Sequence, residues 1–80
     1  MELWGYDTGF RDEEEPTMRS LGEVSIAIRE ASELRRIAAF ILYAADLLET
    51  HGTDFGHEHF RDWYKGWSNG DPDLIVGRID

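Results

Sequence analysis

Between Glu33 and Thr50, the apolar residues Leu34, Ile37, Ala38, Ile41, Ala44, Ala45 and Leu48 recur at steps of three and four. That spacing lines side chains along one face of an α-helix. No other segment constrains the fold as strongly, so an amphipathic helix over residues 33–50 is the first expectation. Ser32 is placed as its N-cap, because a hydroxyl there accepts from the free N–H groups of the first turn. Glu33 puts an anion at the positive end of the helix dipole. Gly52 is placed to end the helix as its left-handed C′ residue. Phe40, Tyr43 and Leu47 form a second stripe beside the first, so the apolar arc is wider than one small sheet face covers.

Short strands are expected around this helix. Over residues 23–29, Val24, Ile26 and Ile28 alternate with Glu23, Ser25 and Arg29, and a period of two puts the β-branched residues on one face. Residues 2–7 carry a weaker alternation, with Trp4 and Tyr6 opposite Leu3 and Gly5. From Thr8 to Ser20 the run Asp12-Glu13-Glu14-Glu15 followed by Pro16 predicts a mobile acidic loop. Residues 57–67 read in two ways. Phe60, Trp63, Tyr64 and Trp67 have helical spacing, while His57, His59 and Arg61 alternate with Glu58, Phe60 and Asp62 as in a strand. Ser68-Asn69-Gly70-Asp71-Pro72 is a turn cluster, and residues 73–79 close the chain as a strand whose Gly77 permits close approach or a bulge. Eighty residues hold one core, so residues 1–80 form a single domain. The expected class is α+β, with one long amphipathic helix packed on a small, mostly antiparallel sheet of three to four strands.

Charge and cysteine content narrow the function classes. Seventeen acidic residues against eight basic ones give a formal charge of −9. That balance argues against nucleic-acid and anionic-membrane binding, which need clustered Lys and Arg, and favours a basic protein partner. With no cysteine in the chain, disulfides and thiolate metal sites are excluded. The segment Met1–Asp7 is acidic and lacks the apolar run of a signal peptide. The longest apolar stretch, Ile37–Ala45, is too short to cross a bilayer. A cytoplasmic location is expected.

No cofactor is expected and no catalytic residue is identified, because no nucleophile elbow, phosphate loop or dinucleotide fingerprint is present. His51, Asp54, His57, Glu58 and His59 are crowded together. On a strand His57 and His59 point the same way, as two imidazole ligands must, and His51 or Asp54 supplies a third donor for a metal-binding or metal-dependent alternative. His51 also has a simpler role at the negative end of the helix dipole. Asp46 and Glu49 place like charges at the helix C-terminal end, against that dipole. Asp54, Glu58 and Asp62 continue the acidic trend. With Trp63, Tyr64 and Trp67, residue types enriched at binding hot spots, these acids are the candidate partner-binding surface. A homodimer that covers the wide apolar helix or an open sheet edge is a further alternative.

Five blocks carry a family resemblance. They are Leu21-Gly22-Glu23-Val24-Ser25-Ile26 leading into Glu33-Leu34-Arg35-Arg36-Ile37-Ala38-Ala39-Phe40-Ile41, then Ala44-Ala45. Asp54-Phe55-Gly56-His57-Glu58-His59-Phe60-Arg61-Asp62 follows, and last Asp71-Pro72-Asp73-Leu74-Ile75-Val76. Over residues 21–79 the chain resembles the small bacterial immunity proteins of polymorphic-toxin systems, the thirty-second numbered immunity family, most distinctively at His57-x-His59 and Pro72–Val76. The resemblance implies a protein that neutralises a cognate toxin by binding it, without catalysis of its own. It also favours a strand over residues 57–61.

Overall fold

The computed structural model describes residues 1–6 and 18–79. The expected acidic loop over residues 8–20 lies outside the described residues up to residue 17. The order is β1 (Trp4–Gly5), β2 (Arg19–Ser20), α1 (Ala31–His51), a 3-10 turn (Gly52–Asp54), β3 (His57–His59), α2 (Phe60–Trp63) and β4 (Ile75–Gly77). The class is α+β. Instead of one sheet of three to four strands, two separate antiparallel pairs form, β1 with β2 and β3 with β4.

Helix α1 starts two residues before the expected point. Its cap is Glu30, whose extended backbone (φ −125°, ψ 141°) lets its carbonyl accept from the Glu33 N–H at 3.1 Å. Ser32 therefore lies inside the first turn, where its hydroxyl contacts Glu30 Oε2 at 3.5 Å and caps nothing. Ala31, the strongest helix former, extends the helix past the residue that was expected to begin it. At the far end Gly52 adopts φ 55°, and its N–H donates to the Leu48 carbonyl. A residue with a Cβ is disfavoured at that angle.

The buried core is small. Among the described residues only Phe40, Ala44 and Phe55 are buried. Phe40 is sealed from solvent, with Phe60 edge-on at 5.5 Å and Trp63 tilted at 5.6 Å. Burying such a ring contributes about 1.5–3 kcal/mol, and each favourable aromatic pair about 0.5–1.5 kcal/mol more. Helix α1 thus rests on the aromatic side chains of α2 through its Phe40 face, rather than across a broad sheet. The radius of gyration is 14.0 Å, against about 12 Å for a compact domain of this length.

The strand expected over residues 23–29 does not form. Residues 23–28 have no regular secondary structure, and Val24 and Ile26 are 60% and 54% exposed. A period of two chooses which side chains share a face but does not supply a neighbouring ladder, and β4 already pairs with β3. The first strand behaves as its alternation predicts: Leu3 and Gly5 are half-buried, whereas Trp4 and Tyr6 are exposed. Leu21 completes that corner, donating its N–H to the Leu3 carbonyl at 2.7 Å and laying its side chain over Gly5.

Candidate partner-binding surface

Residues 57–67 resolve the two readings by using both. His57–His59 is a strand and Phe60–Trp63 a single helical turn. In the β3–β4 pair, His57 faces Gly77, Glu58 faces Val76 and His59 faces Ile75. The Phe60 N–H continues the pairing to the Leu74 carbonyl at 2.8 Å, and the Arg78 N–H to the Gly56 carbonyl at 3.3 Å. Gly77 allows no unusual approach, since a Cβ there would meet His57 Cβ only at ordinary contact distance, 3.7 Å.

One carboxylate fastens this hairpin. Asp73 Oδ2 accepts from His59 Nδ1 at 2.6 Å, while Oδ1 accepts from the Arg61 and Leu74 N–H groups, each at 3.0 Å. Arg61 Nε lies 3.8 Å from Oδ2. Burial pushes the Asp73 carboxyl upward. The hydrogen bond from His59, the two backbone N–H groups and the His59 charge together outweigh burial and hold the carboxyl below its ordinary 3.8. Asp73 was not among the sequence-derived site residues. Its only signal was an acid after Pro72 at the mouth of a strand, which is equally common in plain turns.

His57 and His59 do point the same way, with ring centroids 5.0 Å apart. The third donor does not join them. His51 ends α1 and Asp54 sits in the 3-10 turn. Among the described residues no group of three or more His, Cys, Asp or Glu is placed to hold a metal ion. His59 is moreover engaged through Nδ1 by Asp73.

The candidate acids are spread over successive elements. Asp46 and Glu49 are exposed in the last turns of α1, Asp54 in the 3-10 turn and Asp62 in α2, while Glu58 is half-buried on β3. Each of the three aromatics is half-buried and has an internal partner. Trp63 packs on Phe40 and Tyr43, and Tyr64 stacks near Phe60 with the Arg36 guanidinium 4.3 Å from its ring centroid. Trp67 donates its indole N–H to the Pro72 carbonyl at 3.1 Å. These rings brace the fold, and the exposed members of the candidate set are the acids Asp46, Glu49, Asp54 and Asp62. No family model, curated protein or solved structure matches this chain.

Exposed apolar side chains are abundant beside that charge. Thirteen large hydrophobic residues are more than a third exposed, against three buried residues in the described chain. An open groove of about 630 Å³ runs between Val24–Ile28 and the residues Ile37, Phe60, Tyr64 and Leu74. Arg36 and Asp73 also line it. Among the described residues no helix is long and apolar enough to cross a membrane.

Proposed function

We propose that this chain is a non-catalytic protein-binding module, an immunity-type protein that neutralises a cognate bacterial toxin by direct contact. The observation that carries the reading is the inversion of burial among the described residues: thirteen exposed large hydrophobics against three buried residues. Where such side chains lie together, as around the groove lined by Val24, Ile26, Ile37 and Leu74, they mark an association site. The formal charge of −9 selects a basic partner and speeds its encounter. Asp46, Glu49, Asp54 and Asp62 are exposed and able to supply that charge. The two most distinctive blocks of the family resemblance, His57-x-His59 and Pro72–Val76, meet in one hairpin held by the His59–Asp73 bond. A basic toxin such as a nuclease fits this charge.

The test is co-expression with the toxin domain encoded beside this gene. The chain should relieve growth arrest, and the variant Asp46→Lys/Glu49→Lys/Asp62→Lys should bind the purified toxin domain at least ~10-fold more weakly at low salt. Growth arrest unchanged by the chain, or no toxin gene at the locus, refutes the reading. Affinity unchanged in the triple variant refutes its electrostatic part.

A further inference from the structure

Helix α1 carries two apolar seams, and the described residues cover only one of them. Ile37, Phe40, Ala44 and Leu47 are buried or half-buried against the rest of the chain. Turned by about 100° around the helix lies a second seam: Ala31, Leu34, Ala38, Ile41, Ala45 and Leu48, every one of them exposed. Leu34, Ile41 and Leu48 are 50%, 47% and 38% exposed. The seam has a strict order. Alanine recurs every seven residues at 31, 38 and 45, and a large aliphatic recurs every seven at 34, 41 and 48. Alternating steps of three and four are the spacing of a helix that packs on another helix.

We propose that this seam pairs, antiparallel, with the same seam of a second copy. In an antiparallel pair the two alternating positions of a heptad face each other. Ala31 then meets Leu48 of the second copy, Leu34 meets Ala45, and Ala38 meets Ile41. Two-fold symmetry repeats each layer. Every layer opposes a small and a large side chain, which fills space evenly and lets the helices approach closely. A parallel pair would instead stack alanine on alanine and leave gaps.

The residues flanking the seam agree with the same register. Side chains lean toward the N-terminus of their own helix, so Leu42 of each copy converges on its mate at the two-fold axis. Leu42 is 67% exposed, the most exposed large hydrophobic on the helix. On either side of it, Arg35 of one copy converges on Glu49 of the other, and both are exposed. That is a matched charge pair in a chain of charge −9, where random contact between copies is repulsive. The seam, with Leu42, presents on the order of 500 Å² per copy, so pairing would cover about 1,000 Å², the lower bound for a specific interface. This inference does not rest on the toxin-binding reading.

Equilibrium sedimentation of the full chain across micromolar concentrations tests it. The chain should be a reversible dimer, and Ala38→Leu or Ile41→Ala alone should weaken self-association at least ~10-fold. Ala38→Leu with Ile41→Ala exchanges small for large within the two central Ala38–Ile41 layers and should restore the dimer, with the helical circular dichroism of all three variants unchanged. Because the chain has no cysteine, direction is read by oxidising a mixture of Ala31→Cys and Leu48→Cys chains. The mixed disulfide should dominate over either like pair. A monomer throughout the series, a double variant no better than the single ones, or like-with-like disulfides would overturn the proposal.

Discussion

Replacing Phe40 with Ala removes the ring at the centre of the core, and its cost follows from the packing. Phe40 is fully buried, and Phe60 and Trp63 hold it from two sides. Phenylalanine-to-alanine changes at such sites cost about 3–5 kcal/mol. A chain of this length has a total stability of roughly 4–12 kcal/mol, and a core of three buried residues among those described places it near the lower end. Phe40→Ala should therefore be largely unfolded in buffer. Phe40→Leu keeps part of the volume but loses both aromatic contacts, so it should cost about 1–2 kcal/mol. With a urea slope of about 1 kcal/mol per molar for so small a chain, its midpoint should fall by about 1–2 M. Tryptophan fluorescence reports the transition, since Trp63 lies 5.6 Å from the Phe40 ring. Ile79→Ala, at a position 54% exposed, serves as the control and should stay within about 0.5 kcal/mol of the parent. Equal midpoint shifts for Phe40→Leu and Ile79→Ala would refute the assignment of Phe40 as the centre of the core.

Asp73→Asn should cost about 1–2 kcal/mol at neutral pH, because it removes the charge from three hydrogen bonds. Since the folded carboxyl titrates below 3.8, this contribution is complete above the unfolded value and fades as pH falls through the folded one. Urea midpoints of parent and variant should thus converge in strong acid; a gap independent of pH would contradict the charge argument. Gly66→Ala would drive a Cβ onto the hydroxyl and ring of Tyr64, so the ring must leave the Arg36 guanidinium. A loss of about 1–2 kcal/mol is expected, and in the Tyr64→Ala background the same substitution should cost little. Equal costs in both backgrounds would show that the ring is not what limits Gly66.

The helix was the most legible element because periodicity over many turns is set by the chain itself. The sequence missed its cap, since Ala31 extends the helix and the choice between Glu30 and Ser32 turns on a few tenths of a kcal/mol. Residues 23–29 show the opposite case. Their alternation is as regular as that of any strand, but pairing depends on a neighbour elsewhere in the chain, and no local pattern encodes it. The same reason hid Asp73, whose partners His59 and Arg61 lie across the hairpin. The candidate acids could be read from composition, whereas the inward packing of Trp63 and Tyr64 could not. An aromatic stripe has the same spacing whether it meets Phe40 or solvent.

The two strand pairs share no strand, and this bears on how the molecule breathes. Amide deuteration should distinguish them. The N–H groups of α1 around Phe40 and Ala44 should exchange slowest, because only opening of the aromatic cluster releases them. The Trp4–Gly5 and Arg19–Ser20 ladder is two residues long, so it can open by itself and should exchange quickly. The β3–β4 hairpin should fall between them, its opening linked to rupture of the His59–Asp73 bond. A protein of this construction opens in sections, and a partner that clasps one section can slow its exchange without changing that of the others.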